Sequence, residues 1–280
     1  MKYLVTGATG FLGEKLIESL LKTQISVQIR ALARNEGKLI ALKERFPQIE
    51  IMTGDVADQW IARKAMHGID GVFHLAAFKH VGQAEKDVFQ CVNSNIAGTV
   101  NILEESYKTK PHFVIGISTD KAAQVAGVYG ATKLLMERLF QEIETINPDT
   151  KYRIVRYGNV LYSTGSVLCK WKEKIQKDEE ITLTDPEATR FFWTRDEAIQ
   201  LIFQCLNEAK DSKPWIPKMK AMSIGNLLYA MKNKYNPEYD MTKIQVIGLQ
   251  PGENMNETMD GKVFSDQVEQ FTVEEIKKLI

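Results

Sequence analysis

Lys2-Tyr-Leu-Val-Thr6 runs without a break into Gly7-Ala-Thr-Gly10-Phe-Leu-Gly13, and the reading of this opening decides the fold. Residues 2–6 have the pattern of a short apolar strand. Beyond the glycines, Leu12, Leu16 and Leu20 recur at every fourth residue, as do Ile17 and Leu21, which is the spacing of an amphipathic helix. Strand, glycine-rich turn and helix together make a setting in which backbone N–H groups and a helix N-terminus cradle a pyrophosphate. Gly7 is expected to allow the tight turn, Gly10 the close approach of the phosphates, and Gly13 the packing of the helix on the sheet. Thr9, Phe11 and Leu12 lie between them and join the candidate dinucleotide-binding residues.

Outward from this unit, strands and helices alternate. Ser26–Ala33 reads as a second strand with Arg34 at its end, followed by a polar helix to about Phe46. Ile49–Thr53 is a third strand, closed by Gly54-Asp55-Val56, and Gly71–Ala77 a fourth. A helix rich in Ile, Leu and Val is expected from about Asn95 to Tyr107, a fifth strand over His112–Ser118, a helix carrying Tyr129 to about Ile146, and a sixth strand over Lys151–Tyr157. This order predicts an α/β fold with a parallel, doubly wound sheet of the Rossmann type. Ligands of such sheets bind beyond the carboxyl ends of the strands. The glycine turn, Arg34, Asp55, Ala76-Ala77, Ser118 and Gly158-Asn159 all fall at strand ends and are expected to line one edge.

From Gly165 the pattern loosens. Residues 1–164 are assigned to the dinucleotide-binding core. Residues 165–280 are assigned mainly to a smaller substrate lobe, partly interleaved with the core. Helices are expected over about Arg195–Leu206 and Ile224–Asn233, a late strand over Ile244–Gly248, and a turn at Gln250-Pro-Gly-Glu253. Val273–Ile280 reads as a terminal helix or a frayed tail. Neither repeats nor low-complexity linkers interrupt the chain.

Composition narrows the function classes. A chain of 280 residues can bury a full core, and 44% hydrophobic with 26% charged residues is close to globular averages. The 36 basic residues balance 36 acidic ones, so no global field favours nucleic acid or anionic lipid. No apolar run approaches membrane-spanning length, and the first strand begins too early to leave room for a signal peptide. Cys91, Cys169 and Cys205 show no metal-ligand spacing and read as reduced thiols. The expectation is a cytoplasmic protein without a metal, a membrane partner or a nucleic-acid partner.

Chemistry concentrates in the middle of the chain. Tyr129-Gly-Ala-Thr-Lys133 places a phenol and an ammonium four apart, on one helical face. A nearby cation favours phenolate, so Tyr129 is expected to exchange a proton with a sugar or alcohol hydroxyl near neutral pH. Thr119-Asp120-Lys121 adds a carboxyl and a second amine, which plain hydride transfer does not require. Removing a carbon-bound proton and expelling water does require them. The bland alternative is a half-buried tyrosine beside a solvated ion pair worth under about 1 kcal/mol. The second strand bears on the cofactor. A carboxylate for a ribose 2′-hydroxyl is missing between Ser26 and Asn35, whereas Arg34 offers a forked, permanently charged donor suited to a 2′-phosphate. NADP is expected over NAD.

Motifs spanning nearly the whole chain carry a resemblance. They are Thr6–Gly13, Ala76-Ala-Phe-Lys-His-Val81, Asn93-Ser-Asn-Ile-Ala-Gly-Thr99, Ser118-Thr-Asp-Lys-Ala122, Tyr129–Lys133, Arg156-Tyr-Gly-Asn-Val160, Gly165-Ser-Val167, Thr189-Arg-Phe191 and Pro251-Gly-Glu253. The chain resembles the extended short-chain dehydrogenase/reductases. Within them it is similar to the inverting UDP-N-acetylglucosamine 4,6-dehydratases (5-epimerising). The glycine turn and Tyr-x-x-x-Lys carry only the superfamily; Thr119-Asp-Lys121 and Lys79-His80 are more specific.

The resemblance implies a cycle on UDP-N-acetylglucosamine. Sugar C4 is oxidised while Tyr129 accepts the O4 proton, Lys121 removes the C5 proton, Asp120 helps the C6 hydroxyl leave, and hydride returns to C6 with inversion at C5. Lys133 would hold the nicotinamide ribose, and Thr119 or Ser118 would bond O4. The resemblance also adds Val56, Lys79 and Asn95 to the cofactor set, and Lys79, His80, Asn159, Ser166, Val167, Thr189, Arg190 and Glu253 to the substrate set. A homo-oligomer, dimer or hexamer, is implied as well.

The chain departs from the family pattern in places. Pro186-Glu-Ala188 precedes Thr189 where a methionine is frequent, and Asn254 and Asn256 stand where Lys and His are usual. Ala123-Gln-Val-Ala126 replaces a loop that often holds proline, and the C-terminus is short. The residues themselves leave open a ketoreductase or C4 epimerase, a retaining or 5,6-ene-forming dehydratase, and a non-enzymatic NADP-sensing module.

Overall fold

In a computed structural model that describes residues 1–23 and 26–280, the opening strands alternate with helices as the sequence order requires. The strands are β1 (Lys2–Thr6), β2 (Gln28–Ala33), β3 (Glu50–Thr53), β4 (Gly71–His74), β5 (Phe113–Thr119) and β6 (Lys151–Tyr157). Between them run α1 (Phe11–Thr23), α2 (Glu36–Arg45), α3 (Gln59–Met66), α4 (Val81–Ala84), α5 (Val88–Val92), α6 (Gly98–Thr109) and α7 (Val128–Ile146). Further on come β7 (Asn159–Val160), α8 (Val167–Gln176), β8 (Ile181–Leu183), β9 (Thr189–Trp193), α9 (Arg195–Glu208), β10 (Pro214–Trp215), β11 (Ala221–Ser223), α10 (Ile224–Tyr235), β12 (Ile244–Val246) and α11 (Val273–Leu279).

A seven-stranded sheet has the order β10-β6-β5-β4-β1-β2-β3, and each of its pairings is parallel. This is the expected doubly wound sheet. Its strands are apolar on both faces because both faces are covered: Leu4, Val5, Val72, Val114, Ile115, Ile154 and Val155 are fully buried. One layer holds α1 and α9, with Leu16, Ile17, Leu20, Ile199 and Ile202 against the sheet. The other holds α3, α6 and α7, with Ala62, Met66, Ile102, Met136 and Phe140. The chain steps one way from β1 to β3 and the other way from β4 to β6. The switch point therefore lies between the carboxyl ends of β1 and β4, where a crevice opens.

Residues 195–215 return to this sheet through α9 and β10. The rest of the C-terminal part packs around Leu168, Trp171, Ile175, Leu227 and Met231, with small sheets β11-β9-β7 and β12-β8.

Several local expectations need correction. β2 starts at Gln28 and not at Ser26. β4 ends at His74, not Ala77, because side chains take the place of a strand partner. The Ala76 N–H donates to Thr6 Oγ1 at 3.1 Å, and Asn95 clamps Phe78 by accepting from its N–H at 2.7 Å and donating to its carbonyl at 3.0 Å. His74 is buried between Thr6 Oγ1 (2.9 Å) and Thr99 Oγ1 (3.2 Å), and burial pushes its imidazole down to about 3, so it is neutral there.

The helix expected from Asn95 begins earlier, at Val88, and widens into a π-helical turn over Asn93–Ala97 before α6. Helix α3 was not expected, although Asp58 caps the N–H groups of Trp60 and Ile61 at its start. The terminal segment is a helix and not a frayed tail. Thr272 and Glu275 form a capping box, and Ile276 is buried. Among the described residues no helix is long and apolar enough to cross a membrane.

Candidate active site

The turn after β1 is built so that only glycine fits. Gly7 has φ +65°, and a Cβ there would lie 2.8 Å from the Ala76 nitrogen. A Cβ on Gly13 would lie 2.4 Å from the Gly7 carbonyl oxygen, so α1 packs down on the turn. The first amides of α1 have no partner inside the helix, which leaves them for an anion.

A cleft of about 620 Å³ opens at this turn and runs across the switch point. It brings together Gly7, Thr9, Gly10, Phe11, Leu12, Gly13, Arg34, Asp55, Val56, Ala76, Ala77, Lys79, His80, Ser118, Thr119, Lys121, Tyr129, Lys133 and Asn159. The glycine turn and Tyr129 both line this cleft, whose free amides and cations fit a dinucleotide. Ser163 and Lys38, outside every motif above, also line the cleft, as do Phe78 and Tyr157, which lie in the motifs but were expected to have no site role.

At the rim, Arg34 is exposed and lies 3.7 Å from Asp55 Oδ2. Asn35 caps α2 by accepting from the Lys38 N–H, which places a second cation beside Arg34 along the same wall.

Other candidates do not line the cleft. Asn95 is buried and committed to Phe78 and to Thr132 Oγ1. Thr189 donates to Asn256 Oδ1, and Arg190 donates to the carbonyls of Thr189 and Met255. Ser166 and Val167 start α8, and Glu253 accepts from the Gln250 N–H in the Pro-Gly turn. Asp120 is buried beneath Lys121.

The reactive end rests on a second glycine. A Cβ on Gly130 would lie 2.3 Å from the Lys121 carbonyl oxygen, so its absence lets α7 seat directly on the Asp120–Ala122 turn. Glu85 fixes the start of α7 by accepting from the Val128 N–H at 2.7 Å. Tyr129 and Lys133 then share a face, but their electrostatics differ from the expectation. Lys133 Nζ donates to the Ile117 carbonyl at 2.7 Å, and burial pushes its amine down to about 8. Burial pushes the Tyr129 phenol up to about 12, reinforced by Asp120 and opposed by the Lys121 cation and a hydrogen bond from Thr119. The phenol at rest is thus protonated, and the cation that opposes its burial is Lys121.

Lys121 sits among carboxylates. Its Nζ donates to Asp120 Oδ1 at 3.1 Å and lies 3.5 Å from Glu257 Oε1. Burial works against its charge, but the two carboxylates win and hold the ammonium above its usual range. Asp120 Oδ1 also accepts from Thr119 Oγ1 (2.6 Å) and the Lys121 N–H (2.9 Å), while its Oδ2 has no partner. Glu257 is 1% exposed and was missed in the sequence, where only its place shortly after Pro251-Gly-Glu253 hints at it. Beneath Ser118, Glu137 accepts its hydroxyl at 2.5 Å and pairs with Arg156, which ties the floor of the cleft to Met259.

The geometry is matched by kinship. The family model described as "Polysaccharide biosynthesis protein" matches residues 3–278. A curated relative from Methanocaldococcus jannaschii, described as an uncharacterized membrane protein, is 37% identical, covering 91% of this chain and 79% of its own. The UDP-N-acetylglucosamine 4,6-dehydratase (inverting) of Campylobacter jejuni strain 81-176 is 32% identical, covering 91% and 76%. The UDP-glucose 4-epimerase of Rickettsia canadensis is 31% identical, covering 91% and 76%. Among solved structures, Pen from Bacillus thuringiensis superposes with a TM-score of 0.87 at 33% identity, covering 92% of this chain and 80% of that one.

Proposed function

The chain belongs to the polysaccharide biosynthesis protein family of extended short-chain dehydrogenase/reductases, and we propose that it is a nucleotide-sugar 4,6-dehydratase acting on UDP-N-acetylglucosamine with inversion at C5. The observation that carries this reading is the Asp120–Lys121 pair: Lys121 lines the cleft together with Tyr129, and Asp120 lies buried beneath it, 3.1 Å from its Nζ. The 32% identity to the inverting dehydratase supports it.

In this reading the glycine turn holds the pyrophosphate of NADP, Arg34 and Lys38 its 2′-phosphate, and Lys133 the nicotinamide ribose. The nicotinamide, when bound, supplies a hydride acceptor and, in its oxidised form, a positive charge. Tyr129 takes the O4 proton. The ketone formed at C4 acidifies C5. Lys121 takes the C5 proton, and Asp120, in its protonated form, would give that proton to the departing C6 hydroxyl and become the carboxylate that pairs with Lys121. Lys79, His80 and Asn159 line the remaining space for the sugar nucleotide.

A second reading, a C4 epimerase, rests on the 31% identity to the Rickettsia enzyme; it uses Tyr129 and leaves Asp120 and Lys121 idle. One reaction separates the two. Incubation with UDP-N-acetylglucosamine and no added cofactor is expected to give a product lighter by one water, with C5 inverted by NMR. A product of unchanged mass and inverted C4 would support the epimerase instead.

Cofactor choice has its own test. The protein is expected to bind NADP more tightly than NAD, and Arg34→Ala to narrow the gap by roughly tenfold, as loss of one charge-assisted contact of about 1.5 kcal/mol implies. Isothermal titration of both cofactors checks this. Equal dissociation constants in the unmodified protein would remove Arg34 from the argument.

A further inference from the structure

Lys121 meets its proposed task in the wrong protonation state. As an ammonium ion between two carboxylates it has no lone pair with which to take a proton from carbon. The surroundings name only a few groups that could relieve it. Asp120, Glu257 and Arg190 face Lys121 directly, and the Tyr129 phenol is within its electrostatic reach.

Asp120 is poorly placed to accept that proton. Its Oδ1 already receives hydrogen bonds from Thr119 Oγ1, the Lys121 N–H and Lys121 Nζ. Glu257 is the opposite case. It is 1% exposed, its Oε1 has only longer contacts, to Lys121 Nζ at 3.5 Å and Arg190 Nε at 3.7 Å, and its Oε2 has no partner. Arg190 directs its Nη1 donor away, to the carbonyls of Thr189 and Met255. Burial raises Glu257, reinforced by Asp120, and the Lys121 and Arg190 cations and the Asn254 side chain only partly oppose it.

We propose that Glu257 is the proton acceptor that arms Lys121: the Nζ–H bond breaks, an O–H bond forms on the Glu257 carboxylate, and the ion pair becomes a neutral amine beside a neutral acid. No net charge leaves the pocket in this step, which suits a dry site. The inference rests on the dehydratase reading and adds to it a residue from the C-terminal segment. Glu257 acts through Lys121, so it is a positioning residue for proton traffic.

The test uses Glu257→Gln and Glu257→Asp in the full chain, with UDP-N-acetylglucosamine in heavy water. Glutamine keeps the shape and an acceptor oxygen but cannot take the proton. It is expected to leave cofactor binding and the appearance of reduced-cofactor absorbance intact, while C5 deuterium incorporation and water loss fall about a hundredfold. In this variant the Lys121 proton can leave only to solvent. The lost rate should therefore return as pH rises. A merely structural defect would give a loss independent of pH.

Glu257→Asp keeps the acceptor but withdraws it by one methylene, and is expected to show oxidation at the parent rate with C5 exchange slowed about tenfold. Should the glutamine variant fail to fold, the aspartate variant alone decides. C5 exchange at the parent rate in either folded variant, or a pH-independent loss, would overturn the proposal. Failure of the unmodified enzyme to release water at all would instead overturn the dehydratase reading beneath it.

Discussion

Tyr129→Phe is expected to lower turnover by a factor of about 10²–10⁴ while leaving binding of the nicotinamide cofactor unchanged. The ring stays where it is, since the seat of α7 is set by Gly130 against the Lys121 carbonyl and by Glu85 at the helix start, neither of which involves the phenol oxygen. Only the atom that exchanges a proton with O4 is lost. Such a loss corresponds to about 3–5 kcal/mol of barrier. The phenol's resting position, pushed up to about 12, gives the pH dependence its sign. C4 oxidation needs the phenolate, so in the parent this step should accelerate with rising pH over the neutral range. The oxidised nicotinamide ring, when bound, would add positive charge nearby and favour the phenolate. In Tyr129→Phe that acceleration should vanish with the rate. Single-turnover absorbance of the reduced cofactor, followed across pH with dissociation constants measured alongside, checks both effects. Parent-like turnover in the phenylalanine variant would remove Tyr129 from the mechanism.

The sequence made part of this site readable because part of it is local. The strand, glycine turn and α1 depend on contacts within a few residues, and the strand ends line up once the alternation is seen. What failed were features fixed from far away. Leu75-Ala-Ala77 is apolar enough to read as strand, yet its backbone is claimed by the Thr6 and Asn95 side chains. Lys133 sits at the right spacing from Tyr129, but spacing does not disclose that its ammonium is turned to the Ile117 carbonyl. Glu257 lies in a stretch without periodicity, and only the fold lays that stretch under Lys121. Helix α3 was legible in principle: Asp58 before Gln59–Met66 is an N-cap signal that was passed over.

Lys121→Ala and Asp120→Asn are expected to stop the reaction after C4 oxidation and not before it. The Tyr129 phenol and the glycine turn remain in both variants, so hydride should still leave C4 and reduced-cofactor absorbance should accumulate without added reductant. Without the Lys121 amine nothing at that position takes the C5 proton, and product formation should fall by about 10²-fold or more. This variant also leaves the buried carboxylates Asp120 and Glu257 without the cation between them, so a lowered thermal midpoint is part of the expectation. Asp120→Asn is the gentler probe. Its amide oxygen can still accept from the Thr119 hydroxyl and the Lys121 N–H, holding the turn, but the side chain cannot deliver a proton to the C6 hydroxyl. Deprotonation at C5 and elimination then separate: in heavy water Asp120→Asn should exchange C5 hydrogen for deuterium while releasing little water, and Lys121→Ala should do neither. The parent should place deuterium at C5 of every product molecule, because inversion reprotonates C5 on the face opposite Lys121 with a proton drawn from solvent. A dehydrated product from the parent with no deuterium at C5 would sink this route. Full elimination in Lys121→Ala would move the base to another side chain of the cleft, and mass spectrometry with proton NMR on the same reaction mixtures reads all of these results.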